Sequence, residues 1–149
     1  MVVEAGRRLV DGGLIKDGRT VVVVTDEGGM RSGQLARALY ERYQARDWSG
    51  AAALLHPDAR VRMPATEEHL VGREEVIALQ RDYPEPWGEL RVLRVVGDVA
   101  TAVAEVEIAG PAGVFRCVAF WTLHEELLHG GVEYWVTVGG DEPPADRRR

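Results

Sequence analysis

The chain carries two hydrophobic rhythms, and the change from one to the other divides it. From residue 35 to 77 apolar side chains recur at three- and four-residue intervals, and from 89 to 138 they recur at every second residue. The first period belongs to amphipathic helices and the second to half-buried strands. The first stretch therefore predicts helix, tight turn, shorter helix, strand, loop and helix, and the second predicts a sheet.

Leu35, Leu39 and Tyr43 stand four apart with Ala36 and Tyr40 beside them, giving one apolar stripe on the first helix. Ser32 is placed to cap its start, and it ends near Arg46. Asp47 can cap a second helix whose inward face is Trp48, Ala51, Ala52 and Leu55. His56 precedes Pro57, and a residue before proline avoids the α region, so this helix stops there. A strand follows over 59–63, with Val61 and Met63 on one face and Arg60 and Arg62 on the other. After a polar loop carrying His69, Gly72 precedes a third helix from Arg73 to about Asp82. Glu74 and Glu75 in its first turn suit the positive end of the helix dipole. Val76, Leu79 and Tyr83 are its buried positions with Ile77 flanking; Pro84 and Pro86 end it, and Trp87 lies in the loop beyond.

Gly97-Asp98, Gly110-Pro111-Ala112-Gly113 and Glu125-Glu126 mark three reversals, which predicts strands over 89–96, 99–109, 114–124 and 127–138. Gly130-Gly131 inside the last predicts a bulge. Helices followed by antiparallel strands make the fold class α+β. Residues 1–29 share neither rhythm. Asp17-Gly18 followed by Arg-Thr and four valines predicts a hairpin or a single added edge strand. The segment reads as an extension to a domain spanning 30–140, or as an overlong start with Met30 the native beginning; 141–149 is a polar tail.

Composition narrows the function classes. At 149 residues the chain suits one domain, long enough to bury about two-thirds of its unfolded surface. A net charge of −6 disfavours a nucleic-acid partner, and the terminal run of Arg147, Arg148 and Arg149 is a short solvated end. Cys117 is the single cysteine, which excludes an internal disulfide and fits a reducing compartment. No apolar run approaches the roughly 20 residues that span a bilayer, and the first ten residues lack a signal-peptide pattern. Lys16 is the only lysine, a bias that reads as GC-rich coding. The expectation is a cytoplasmic bacterial protein with no membrane partner.

The order of elements, together with Ala45-Arg46-Asp47-Trp48, Leu54-Leu55-His56-Pro57-Asp58-Ala59, Leu70-Val71-Gly72-Arg73-Glu74-Glu75-Val76-Ile77 and Gly131-Val132-Glu133-Tyr134-Trp135-Val136, resembles the nuclear transport factor 2-like superfamily, nearest its polyketide cyclase (SnoaL-like) branch. The resemblance covers residues 30–138. It implies a conical roll: a curved, mainly antiparallel sheet wrapped by three N-terminal helices around a largely apolar pocket, commonly in a homodimer. It implies no single reaction, because this fold hosts isomerases, cyclases, epoxide hydrolases and non-enzymatic binders.

Two catalytic sets of that superfamily can be laid on the chain. Where ketosteroid isomerase keeps its general-base aspartate the chain has Met63; the family's helix tyrosine falls at Leu39 and its second aspartate near Ala119. No isomerase mechanism carries over. Where limonene epoxide hydrolase keeps two water-activating acids the chain has Glu107 and Glu133. That enzyme's bridging arginine falls on Glu105, its tyrosine on Val61 and its asparagine on Met63.

The residues themselves leave the glutamates open. Glu105 and Glu107 share one face of their strand. Facing a closed cavity beside Glu133, they could not all ionise, and one would titrate near neutrality as a general acid or base requires. Alternatively Ala102, Ala104, Val106 and Ile108 supply the inward face and both glutamates point out. Glu133 shares a face with Trp135. His56, His69, His124 and His129 show no metal-ligand spacing, so no metal is expected; His56 stands at a helix end, His124 by the turn acids, and His129 is a candidate for the pocket wall. No phosphate loop or nucleophile elbow is present, and no cofactor is expected. Cys117 reads as a buried inert thiol; by parity it shares a face with Phe115, Ala119 and Trp121, which the resemblance puts inward.

These choices give an expected ligand wall of Tyr43, Trp48, Met63, Tyr83, Trp87, Cys117, Trp121 and Trp135, with Glu133, Glu107 and Glu105 as the catalytic candidates. Val118, Phe120, Tyr134 and Val136 then form an apolar patch on the outer sheet face, which a homodimer would cover, with the N-terminal segment as rival. Three functions compete: a binder of a small, largely apolar organic molecule; an acid–base enzyme of isomerase, cyclase or epoxide-hydrolase type with Glu133 as base and Glu107 as its partner; and a non-catalytic structural or regulatory dimer.

Overall fold

The computed structural model describes residues 31–84 and 86–147, with the backbone of Gly29, Met30 and four short N-terminal strands. Those strands, β1 (Val3–Glu4), β2 (Arg7–Val10), β3 (Gly13–Lys16) and β4 (Arg19–Val21), pair in sequence as an antiparallel sheet of their own. β3 and β4 pair on either side of Asp17-Gly18, while the turn itself and the valines beyond Val21 lie outside the described residues.

Helix α1 (Gly29–Gln44) buries the expected stripe of Ala36, Leu39, Tyr40 and Tyr43. It begins earlier than the sequence suggests, so Ser32 is no cap: it is fully buried inside the helix, its hydroxyl 2.6 Å from the Asp98 carbonyl and 3.0 Å from that of Thr101. Asp47 does cap α2 (Trp48–Ala52), accepting the Gly50 N–H at 2.9 Å. That hydrogen bond and the Arg42 guanidinium hold its carboxyl below the usual range.

α2 ends sooner than expected and β5 (Leu55–Met63) starts sooner, because Leu55 already pairs with the last strand at Leu128. The next pairs are Gly130 with Arg60 and Gly131 with Val61, so Pro57 falls where the ladder is interrupted and its missing N–H costs no pairing. The segment with His69 is not a loop but the edge strand β6 (Glu68–Val71), antiparallel to β5. In α3 (Arg73–Arg81) the Glu75 carboxylate reaches back to the Val71 N–H at 2.7 Å; Val76 and Ile77 are buried, while Tyr83, expected inside, is 53% exposed.

β7 (Glu89–Gly97), β8 (Thr101–Gly110), β9 (Gly113–His124) and β10 (Leu127–Thr137) form the meander. The first reversal centres on Val99-Ala100 rather than Gly97-Asp98, with the Asp98 carboxylate accepting the Ala100 and Thr101 N–H groups at 2.8 Å each. The sheet order is β6-β5-β10-β9-β8-β7, antiparallel except for the β5–β10 pair. The bulge in β10 falls at His129, between Leu128 and Gly130. Gly131 serves packing: a Cβ there would stand 2.9 Å from the Trp121 ring and 3.1 Å from Val61. Trp121 is fully buried and donates its indole N–H to the Tyr40 hydroxyl at 3.1 Å. Among the described residues no helix is long and apolar enough to cross a membrane.

Candidate functional site

Cross-strand register decides which side chains can meet. One row runs Ala104, Ala119, Glu133 and the next Val106, Cys117, Trp135; all six are buried or half-buried and face the helices. The intervening rows, Glu105–Val118–Tyr134 and Glu107–Arg116–Val136, face the other way. Two alanines beside Glu133 leave room for its longer side chain on the inner face.

Glu133 is 4% exposed. The Trp135 indole donates to its Oε2 at 2.9 Å. Burial holds its carboxyl above the ordinary range, and the indole bond pulls only part of the way back. The field of Glu133 reaches far: Tyr40, Tyr43 and Cys117 are each raised by burial first and by Glu133 second. Cys117 is thus an inert thiol, as its sequence context indicates.

The expected partnership of Glu133 with Glu107 and Glu105 is not formed. Glu107 takes Arg91 at 2.6 Å and Arg116 at 3.0 Å on the outer face, and Arg91 first and Arg116 second hold its carboxyl below the ordinary range. Glu105 pairs with Arg94 at 2.6 Å. Ala102, Ala104, Val106 and Ile108 take the inner face of β8 instead, because they complete the apolar core under α1. The two acids laid on limonene epoxide hydrolase therefore lie on opposite faces of the sheet.

Glu133 opens onto a cavity of about 280 Å³ between the sheet and α3. Of the expected wall, Met63, Tyr83, Trp87 and Trp135 line it; Tyr43, Trp48, Cys117 and Trp121 do not. Tyr43, Cys117 and Trp121 are packed into the core, and Trp48 tilts against Tyr43 at 6.0 Å between ring centroids. Leu79 and Gln80 of α3, Thr66 and Glu68 near β6, and Ile108 and Phe115 at the β8–β9 end also line it. The resemblance puts Phe115 on the inward face; Thr66 and Glu68 carry no signal in the sequence, because the segment holding them reads as a loop. Trp87 is held from behind: its N–H donates to the Gln80 carbonyl at 3.1 Å, and the Arg46 guanidinium lies 3.7 Å over its ring.

The histidines fall elsewhere. His56 is buried at the start of β5, not at a helix end, and His129 lies in the bulge, away from the pocket wall. Together with His124 they form a cluster, each ring within 5.2 Å of the others. Burial first and the two neighbouring imidazoles next lower the His129 pKa.

Comparison with curated protein sequences finds no match. Among solved structures, the chain is similar to a candidate ketosteroid isomerase from Kribbella flavida, at 28% identity over 80% of this chain and 87% of that one, with a TM-score of 0.74. It is also similar to a nuclear transport factor 2-like protein of unknown function from Burkholderia xenovorans, at 20% identity over 80% and 94% of the chains and a TM-score of 0.68. An LEH-like epoxide hydrolase from Mycobacterium tuberculosis aligns at 15% identity over 72% and 84%, with a TM-score of 0.61, a likeness of fold. The model of the SnoaL-like domain matches residues 36–128, stopping short of Glu133 and Trp135. With more than half its length inside that match, the chain belongs to the SnoaL-like domain family, and its six-stranded sheet and three helices have the fold of nuclear transport factor 2-like proteins.

Proposed function

We infer that the chain binds a small, largely apolar organic molecule in the cavity beneath α3, with one hydrogen-bonding group of that molecule set against Glu133. The observation that carries this reading is the near-complete burial of the Glu133 carboxyl in a wall that is mostly apolar and aromatic. A pocket with one placed polar group and hydrophobic surroundings is the usual form of a small-molecule site, and about 280 Å³ is at the small end of the range. Among the described residues the wall carries two carboxylates, Glu133 and Glu68, and no Arg, Lys or His. It therefore suits a carbonyl, hydroxyl or amine and repels an acid.

Benzyl alcohol, benzylamine and benzoate share one ring and differ in charge, so they test the assignment directly. Trp87 and Trp135 fluorescence should respond saturably to the first two and not to benzoate, and Glu133→Gln should weaken benzylamine most. Benzoate binding as well as benzylamine, or no response to any of the three, would overturn the reading.

The raised pKa of the same carboxyl favours a second role, general acid–base catalysis by Glu133 on the bound molecule. With Glu107 on the other face, such an enzyme would work without the Glu133–Glu107 pair. Turnover of an epoxide or an unsaturated ketone that disappears in Glu133→Gln while ligand binding persists would establish it; turnover untouched by that change would exclude it.

A further inference from the structure

His56 opens β5, His124 closes β9 and His129 occupies the β10 bulge, so three histidines distant in sequence meet at the end of the sheet opposite the pocket. Met63, in the pocket wall, ends the same strand that His56 begins. Their separation is on the order of 20 Å at the usual strand rise. The rings stand 5.0, 5.1 and 5.2 Å apart between centroids. Glu125 reaches between two of them, its Oε2 3.2 Å from His56 Nε2 and its Oε1 3.8 Å from His124 Nε2. One ligand atom each from His56, His124 and Glu125 falls within 4.8 Å of the others.

We propose that this cluster binds a divalent transition-metal ion of the zinc, nickel or cobalt type, through Nε2 of His56, Nε2 of His124 and the Glu125 carboxylate, with the His129 imidazole beside them as a further donor. Neutral imidazole and carboxylate are the donors these ions take, at about 2.0–2.2 Å. Around a tetrahedral ion such ligand atoms stand about 3.4 Å apart. The His56–Glu125 spacing of 3.2 Å is already close to that value. His124 and Glu125, with side chains 57% and 73% exposed, are free to close the remaining gap. Magnesium and calcium seek six or more oxygens and are poorly served here.

One local feature agrees with this assignment, and one hydrogen bond has to be given up for it. Glu125 and Glu126 both lie in the left-handed region, with φ of 48° and 64°. A two-residue hairpin turn of that kind favours Asn-Gly or Gly-Gly, yet here it carries a carboxylate aimed at the imidazoles. The Asp58 N–H donates to His56 Nδ1 at 3.0 Å, with Nε2 of the same ring turned toward Glu125. Metal binding at Nε2 leaves the ring proton on Nδ1, so the bond from the Asp58 amide is given up.

Untagged, chelator-treated protein titrated calorimetrically with zinc chloride should show one saturable site per chain. His124→Ala removes an exposed side chain and leaves the core untouched. It should weaken binding by about tenfold or more, since even outer-shell changes at metal sites cost roughly 10–100-fold. His69→Ala, on β6 outside the cluster, should bind as the parent does. Cobalt(II) should give a visible absorption band with the parent that zinc bleaches and that His124→Ala lacks. No saturable binding by the parent, or equal binding by His124→Ala, would overturn the proposal.

Discussion

The contact between the Trp135 indole and the Glu133 carboxyl governs the polarity of the pocket, and Trp135→Phe takes it away while keeping a ring in the wall. The bond is 2.9 Å long, from an indole N–H to a carboxyl that is 4% exposed, so solvent screens it little. A hydrogen bond to a charged group contributes about 1.5–3 kcal/mol and one between neutral groups about 0.5–1.5 kcal/mol. The indole thus favours the ionised carboxylate over the neutral acid by about 1 kcal/mol or somewhat more. Its removal should push the Glu133 carboxyl still further above the ordinary range. Burial raises this group, so the stability it contributes is fully present below the unfolded carboxylate value near pH 4.3 and is lost as pH rises through the higher folded value. Glu133→Gln, a neutral isostere, should flatten that part of the stability curve. Urea unfolding of the parent, both single variants and the double variant closes a thermodynamic cycle. The coupling should be close to zero at about pH 4, where the folded-state carboxyl is neutral, and about 1 kcal/mol at a pH above the raised folded value, where it is ionised. An equal coupling at both pH values would refute the view that the carboxylate ionises against the indole.

Further expectations follow from packing. Gly131→Ala presses a Cβ to 2.9 Å from the Trp121 ring and 3.1 Å from Val61, both inside the core. It should cost about 1–3 kcal/mol, visible as a lower thermal midpoint, and an unchanged midpoint would contradict the described packing. On the outer face Val118, Phe120, Tyr134 and Val136 are 36% to 57% exposed, with Phe120 edge-on to Tyr134 at 6.2 Å. We propose that a second copy covers this patch. Light scattering at micromolar concentration should find a dimer that Phe120→Glu converts to monomer, and a monomeric parent would remove this proposal.

Much of the fold was legible because it is local. Alternation marked the four long strands to within a few residues, and Asp47 capped α2 where its side chain could reach the third amide beyond it. Errors arose where a distant partner overrode a local preference. Ser32 looked like a cap, but the β7–β8 turn offered its hydroxyl two carbonyls from 66 and 69 residues away. Leu55 and His56 looked helical until Leu128 paired with Leu55. The direction of Glu105 and Glu107 depended on strand parity against a core not yet assembled, and the arginines that claim Glu107 sit on the two neighbouring strands. For Glu133 the signal was present in its shared face with Trp135. The histidine cluster left no mark at all, since His56 and His124 are brought together only by the completed sheet.

The place of β10 in the sheet also bears on how the chain comes to fold. It is the last strand in sequence but lies between β5 and β9, paired parallel to the former across 73 residues, from Leu55 to Leu128. Contacts of such long sequence separation close late and slow the search for the native state. On the ribosome, β5 and β9 must wait with a strand-wide gap between them until residues 127–137 emerge, and their edges stay unpaired meanwhile. Glu133 and His129 both belong to that final strand. Neither the pocket nor the histidine cluster therefore exists in any shorter nascent chain, and both arise in the same closing step.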